Sequence, residues 1–192
     1  IALVEIHLIR ESTDMNYYGG KEMAAAFRTV RKNTIQVAED IPEDKYSFQV
    51  TPETRTVAQT LVHIAYSPEF AFYVHGNKVT DLSTVNFPEL FQKISAQESK
   101  PRSKAEIIAA LRSEGERLAT FLESMPDAFL AETLATPPGA SPASRTRFDM
   151  LLGAKEHEMH HRAQLMVMER LVGVVPHLTR QRQEALARAQ KS

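Results

Sequence analysis

The sequence predicts an all-α protein, a single four-helix bundle with a short helix at its C-terminal end. Four segments carry apolar residues at steps of three and four, which is the pattern of a helix with one buried face. Stretches that contain proline or glycine separate these segments. The length of 192 residues suits one domain and is enough to bury a core without disulfides.

The first helix is predicted from about Lys21 to Asp40. Its apolar stripe falls at Met23, Phe27, Val30, Val37 and Ile41. Pro42 ends this helix, and residues 43–52 are predicted to form a loop because a second proline, Pro52, closes them.

The second helix is predicted from about Thr54 to His75, with a proline inside it. The interruption lies at Ser67 and Pro68. Because proline lacks an amide donor and crowds the preceding turn, we expect a kink or a restart with Ser67 as the cap. Residues 77–102 then form a long connection, with a short helix around residues 87–94.

The third helix has the clearest start signal in the chain. Ser103 and Glu106 match the capping-box pattern S-x-x-E, and Pro126 ends the helix. Gly115 lies in the middle of the helix and lowers its propensity, which predicts close packing at that position.

A proline-rich loop separates the third helix from the fourth. Residues 136–145 contain three prolines and one glycine. The fourth helix is predicted over residues 146–171, with Gly173 as its C-terminal stop. A fifth, polar helix is predicted over residues 178–189.

The composition excludes several classes of protein. There are 23 basic and 24 acidic residues, so the net charge of −1 argues against a protein that coats nucleic acid or binds an anionic membrane. The absence of cysteine excludes a disulfide scaffold, a cysteine nucleophile and a thiolate metal site. It is also compatible with a reducing cytoplasm, which is the predicted location.

The N-terminal end carries no recognisable targeting signal. The first ten residues are apolar but short and include Glu5 and Arg10, so they fit neither a signal peptide nor a membrane span. Residues 1–14 are predicted to be a leader or vector-derived segment, and residues 15–192 to be the single bundle domain.

Three of the seven histidines fall within five consecutive residues of the fourth helix. His157 and His161 are about 40° apart on one face, so their rings can converge on one ion. This face is the apolar one, and two neutral rings buried there need a metal or hydrogen-bond acceptors. Without a metal, the pair is a set of surface or satisfied core histidines in a plain bundle.

A third histidine strengthens the case for a metal. His63 lies on a face of the second helix that mixes polar and apolar residues, as the wall of a core pocket does. Three histidines with open positions make a plausible catalytic metal site. Imidazole suits zinc or nickel, with iron or copper as further candidates, and does not suit magnesium or calcium.

The segment His157–His161 also matches the zinc-protease pattern H-E-x-x-H. In that interpretation Glu158 is the general base of a zinc hydrolase. The extended form of the pattern fails, because Gln164 stands where a glycine is required. Of the other histidines, His160 is interpreted as an outer partner of the site or a surface residue. His7, His75 and His177 are interpreted as surface residues.

Residues 157–164, HEMHHRAQ, resemble the fourth-helix motif H-E-x-H-H-R-G-Q of the DinB/YfiT-like superfamily of proposed metalloenzymes. Ala163 replaces the glycine of that motif. The segment from Ile41 to Tyr46 and the residues leading into His63 also resemble the family. The resemblance covers about residues 20–176. Pro68, soon after His63, is a further departure from the family pattern and puts the straightness of the second helix in question.

The resemblance implies an up-down-down-up bundle with a metal held by His63, His157 and His161. Glu158 is part of the motif that carries the resemblance. Glu158 and His160 are the candidate catalytic residues. Relatives in the family include bacillithiol transferases and a mycothiol-dependent isomerase, so the resemblance implies a small-molecule substrate and chemistry with a low-molecular-weight thiol. The alternative is a bundle that binds a metal or small ligand without turnover.

A homodimer is a further expectation from the fourth helix. Phe148, Met159 and Met166 gather on the side opposite the histidines. Such a stripe packs either against another part of the chain or against a partner subunit.

Overall fold

The computed structural model describes residues 18–190, which are mostly helical. The helices are α1 Gly20–Asp40, α2 Val57–Tyr66, α3 Glu69–Ala71, α4 Phe87–Glu98, α5 Lys104–Glu123, α6 Asp127–Leu130, α7 Arg147–Leu171 and α8 His177–Ala189. Short 3-10 turns cover Glu43–Lys45 and Leu82–Thr84, and a π-helical turn covers Phe72–Gly76. Two strands, β1 Thr133–Ala135 and β2 Ser144–Thr146, pair antiparallel. The predicted leader, residues 1–14, lies outside the described residues.

The four long helices α1, α2, α5 and α7 form the bundle, in the order α1, α5, α2, α7 around the core. Helix α1 runs antiparallel to α5, because Arg28 contacts Glu123 whereas Glu39 contacts Arg112. The α2–α3 region runs parallel to α5. Its Glu69 pairs with Arg117, and a few residues further along both segments the ring of Phe72 contacts that of Phe121 edge-on.

Helix α7 completes the topology. Tyr18 lies against Phe148, and Arg31 lies against Glu158, so α1 and α7 run parallel. The directions are therefore up, down, down and up, which confirms the predicted bundle. In this arrangement α2 and α7 are antiparallel neighbours, and their facing sides define the position of the histidines.

Local sequence signals place the helix ends. The Ser103 hydroxyl accepts from the Glu106 amide, and the Glu106 carboxylate accepts from the Ser103 amide, which confirms the capping box. Thr146 caps α7. Gly173 has a φ of 84° and follows α7, as the predicted stop requires.

Pro68 does interrupt the second helix, but Ser67 does not cap the helical segment after it. Ser67 ends α2, and its hydroxyl donates to the Ile64 carbonyl. Helix α3 then begins after Pro68 with no side-chain cap. The prediction of a restart is confirmed, and the prediction of Ser67 as its N-cap is wrong, because proline at that position already supplies a helical φ.

A buried arginine joins all four bundle helices. The Arg31 guanidinium, on α1, donates to both carboxylate oxygens of Glu158 on α7 at 2.9–3.1 Å. It also donates to the carbonyls of Leu111 on α5 and Ile64 on α2. A Cβ atom at Gly115 would meet the Arg31 side chain at 2.7 Å, which confirms the predicted close packing.

The region between α5 and α7 contains structure that the sequence analysis did not predict. The short helix α6 precedes β1, and the predicted loop, residues 136–145, connects the strands and supplies the first residues of β2. Arg147, at the start of α7, is fully buried; it donates to Glu132 and approaches the ring of His75 at 3.5 Å.

Two histidines expected at the surface are buried. His75 is 2% exposed, and burial together with the Arg147 charge lowers its pKa to about 4. His177 is 4% exposed and bonds to Asn33 of α1. The surface interpretation is wrong for both, because a position at a helix end, as for His75, or after a proline, as for His177, does not determine which elements pack over the ring.

The apolar stripe of α7 is largely used within the chain. Phe148 packs edge-on against Tyr18, and Met166 packs on the core cluster between α1, α2, α5 and α7. Met159 stays exposed. None of the described helices is both long and apolar enough to cross a membrane.

Candidate metal centre

His63, His157 and His161 lie together on the facing sides of α2 and α7. Residues four apart on a helix share a face, so His157 and His161 project from α7 in the same direction. His63 projects from α2 toward them, and its ring centroid lies 5.0 Å from that of His157 and 4.7 Å from that of His161. The structure therefore brings together the three histidines that the sequence analysis selected.

The three rings present the same nitrogen to one point. The His157 Nε2 atom lies 3.1 Å from the His63 Nε2 atom and 3.1 Å from the His161 Nε2 atom. Two nitrogens that bind one zinc-sized ion at about 2.0–2.1 Å lie about 2.9–3.4 Å apart, for bond angles of about 90–110°. The donor set and its spacing thus fit a divalent transition metal.

Outer partners fix the orientation of two of the rings. The His63 Nδ1 atom lies 2.9 Å from Glu98 Oε1, and the His161 Nδ1 atom lies 2.8 Å from Gln164 Oε1. An oxygen acceptor at Nδ1 places the proton on that nitrogen and leaves the Nε2 lone pair free. Metal-binding histidines in proteins usually have such a partner.

Glu98 is itself held in place. Arg55, in the segment before α2, donates from Nε to Glu98 Oε2 at 2.6 Å and from Nη2 to Oε1 at 3.4 Å. A series of side-chain contacts therefore leads to the site, from Arg55 through Glu98 to His63. On the other side, Gln164 also contacts the exposed His160 through its amide nitrogen at 3.1 Å.

The surroundings keep the three histidines neutral. Burial lowers the pKa of His157 to about 4, and the neighbouring rings add to the effect. Burial also lowers the pKa of His63 and of His161, and the Arg55 charge acts in the same direction on all three. Neutral imidazole is the form that binds a metal, so the site needs little deprotonation to do so at neutral pH.

A cavity of about 680 Å³ opens beside the cluster. His161 and Gln164 form part of its wall from α7, and Thr60 contributes from α2. The segment that leads into α2 forms the opposite side, including Arg55. A small molecule in this cavity would therefore lie next to His161, one of the three histidines of the cluster.

The two candidate catalytic residues lie in different places. Glu158 is 2% exposed, and its carboxylate binds Arg31 on the α1 side of α7, away from the cluster. Successive residues of a helix are rotated by about 100°, so Glu158 lies on a different face of α7 from His157. His160 lies at the edge of the site, with its ring centroid 5.0 Å from that of His161.

The sequence analysis did not identify Glu98 or Arg55 as parts of the site. Glu98 comes from outside the motif segments. Arg55 lies in the segment that leads into His63, but no pattern links either residue to His63. Gln164 had a signal, because it lies three residues after His161 and belongs to the fourth-helix motif.

Bundle, cluster and cavity together define a class of protein, a helical bundle with a cluster of three histidines beside a cavity. The DinB superfamily model matches residues 26–165, and the chain belongs to this family. No curated protein matches the chain.

Solved structures share the fold. YfiT from Bacillus subtilis, described as a probable metal-dependent hydrolase with an unusual four-helix bundle topology, has a TM-score of 0.62 at 17% identity, covering 86% of this chain and 93% of its own. A DinB-like protein of B. subtilis, YjoA, has a TM-score of 0.58 at 21% identity, covering 79% and 92%. A DinB-like protein from Bacillus cereus has a TM-score of 0.61 at 15% identity, covering 81% of this chain and 94% of its own.

Proposed function

We propose that this protein is a metal-dependent enzyme that holds one divalent transition-metal ion between His63, His157 and His161 and activates a small nucleophile there. Zinc and nickel are the first candidates for the ion, followed by iron and copper. The observation that carries the proposal is the convergence of three Nε2 atoms, with two separations of 3.1 Å. Membership of the DinB superfamily supports it.

A bound ion would lower the pKa of a thiol or water in an open position, so that a nucleophile is available at neutral pH. The residues of the chain do the rest. Glu98 and Gln164 hold the rings of His63 and His161 so that Nε2 faces the ion. The cavity beside His161 admits the second reactant.

We propose a low-molecular-weight thiol as the nucleophile, in a transfer or isomerisation reaction. Both carboxylates considered above are already engaged by other side chains: Glu98 contacts Arg55 and His63, and Glu158 contacts Arg31. A thiol with a pKa of about 8.5 needs far less help to ionise than water, whose pKa is much higher. The chain has no cysteine, so the sulfur arrives with the substrate.

Hydrolysis is the second candidate reaction. It is favoured by the shared fold with YfiT, which is described as a probable metal-dependent hydrolase. In that case His160, exposed beside His161, is the side chain best placed to assist a water molecule.

Metal content tests the proposal first. Protein purified without a histidine tag is expected to bind one equivalent of zinc or nickel on titration. His161→Ala is expected to weaken binding by more than about 100-fold, because loss of an outer partner alone costs about 10–100-fold. His160→Ala is the matched control and should retain the metal. The metal site is excluded if the wild type binds no stoichiometric ion, or if His161→Ala binds as tightly.

Turnover separates the reactions. Metal-loaded protein is incubated with small thiols and electrophiles in one series, and with esters and amides in another. Metal-dependent loss of thiol supports transfer, and metal-dependent cleavage without thiol supports hydrolysis. If neither occurs although the ion is bound, the protein is a binding bundle and the proposed enzyme function is wrong.

A further inference from the structure

The cavity beside the histidines has two chemically different ends. Its volume of about 680 Å³ lies within the range of small-molecule sites. Part of its wall is apolar and open: Val50 is 48% exposed, Val167 is 54% exposed, and Met168 lies in the same wall. Exposed apolar side chains that line a cavity favour an apolar portion of a ligand.

The other end carries a positive charge. Arg55 is the one cationic side chain in the cavity wall formed by the described residues. Arg55 donates to Glu98, whose Oε1 atom lies 2.9 Å from His63 Nδ1, so Arg55 marks the end of the cavity nearest the histidine cluster.

Arg55 has capacity for a further hydrogen bond. Its Nε and Nη2 atoms donate to Glu98, and within residues 18–190 its Nη1 atom donates to no protein acceptor. The side chain is 42% exposed. A guanidinium edge with a free donor binds planar carboxylates well, because the hydrogen bond is charge-assisted.

We propose that the cavity binds a small organic carboxylate with an apolar tail. The carboxylate contacts Arg55 beside the histidine cluster, and the tail lies against Val50 and Val167. This inference rests on the proposed function and names its substrate class: the molecule that meets the nucleophile is an aliphatic or aromatic acid of modest size.

The pairing of Arg55 with Glu98 predicts that one substitution should strengthen carboxylate binding. Glu98 is only 12% exposed and neutralises part of the guanidinium charge. In a Glu98→Gln variant the amide oxygen can still accept from His63 Nδ1, but the negative charge is gone. Arg55 should then hold a ligand carboxylate more tightly.

Calorimetric titration of the zinc-loaded protein tests this, with octanoate as the probe and octan-1-ol as its uncharged match. Octanoate is expected to bind at least about tenfold more tightly than the alcohol, for one or more charge-assisted hydrogen bonds. Arg55→Gln should remove that difference, and Glu98→Gln should increase it. Arg28→Gln is the control, because Arg28 also pairs with two carboxylates, Glu116 and Glu123, but does not line this cavity.

The outcomes distinguish this inference from the proposed function. Zinc content is measured for every variant. If zinc binds but octanoate binds Arg55→Gln as tightly as the wild type, or octan-1-ol matches octanoate, the inference is overturned and the metal site stands. If the wild type takes up neither zinc nor any of the other candidate ions, the proposed function fails. The same titration of the metal-free protein then decides the inference: an Arg55-dependent affinity for octanoate supports it, and none overturns it.

Discussion

Glu158 and Glu169 occupy the same side of the same helix in opposite circumstances. They are eleven residues apart on α7, which is three turns with an offset of about 20°, so both face α1. Both are buried, at 2% and 0% exposure. The Glu158 carboxylate receives three hydrogen-bond contacts from Arg31, whereas neither carboxylate oxygen of Glu169 has a hydrogen-bond partner within residues 18–190.

The difference lies in what α1 presents to each glutamate. Beside Glu158 it presents the Arg31 guanidinium; nine residues later, near Glu169, it presents Asp40, which is paired with Arg180 of α8. Burial raises the pKa of Glu169 to about 7, and the Asp40 charge adds to the rise. Glu158 thus has a buried cationic partner, whereas the surroundings of Glu169 favour its protonated form.

Removing the partner of Glu158 should have the largest effect on stability. Arg31→Met leaves a buried carboxylate unpaired and should lower the free energy of unfolding by about 3–5 kcal/mol. Urea denaturation measures the loss. The double variant Arg31→Met, Glu158→Met should recover much of it, because no charge then remains buried. A loss below about 1 kcal/mol in the single variant would show that the pair does not hold the bundle together.

Glu169→Gln should stabilise the protein, in contrast to Arg31→Met. The unfolded chain loses this proton near pH 4.5 and the folded chain near pH 7, so the folded state binds more protons in between. Stability therefore falls as pH rises from about 4.5 to about 7. The neutral amide removes this dependence. It should raise the free energy of unfolding at pH 8 by up to about 3 kcal/mol, because the pKa of Glu169 is about 7 in the folded chain and 4.5 in the unfolded chain.

Thermal unfolding at pH 5 and at pH 8 checks this prediction. The variant should melt higher than the wild type at pH 8 and nearly match it at pH 5. Asp40→Asn is a second variant, because it removes the charge that adds to the rise. An equal effect of Glu169→Gln at both pH values would mean that the carboxyl is ionised throughout.

The bundle and the three histidines could be predicted because each depends on one helix at a time. Apolar periodicity defines the buried face of a helix, and the spacing of His157 and His161 places both on that face of α7. The capping box at Ser103 similarly depends on residues only three positions apart. Signals of this kind survive in the sequence whatever the helix packs against.

The contacts between distant segments could not be predicted. Glu98 reaches His63 from α4, 35 residues away, and Arg31 reaches Glu158 across 127 residues. Neither pair has a spacing that a helix or a turn imposes. For the same reason the sequence could place Glu158 beside His157 but could not show that its carboxylate serves the α1 side of the bundle.

Two helical glycines, Gly115 and Gly153, differ in the space that surrounds them. Gly115 on α5 leaves the space in which Arg31 runs toward Glu158, and an added Cβ would lie 2.7 Å from the Arg31 Cγ atom. An added Cβ at Gly153 on α7 would meet no atom of the described residues within 4 Å, apart from the backbone of its own helix. Gly115→Ala should therefore cost about 1–3 kcal/mol by displacing Arg31, whereas Gly153→Ala should gain about 0.5–1 kcal/mol from helix propensity. Chemical denaturation of both variants decides the matter: if Gly115→Ala stabilises the protein as Gly153→Ala does, Arg31 can move without loss, and the ion pair with Glu158 does not depend on the position of α5.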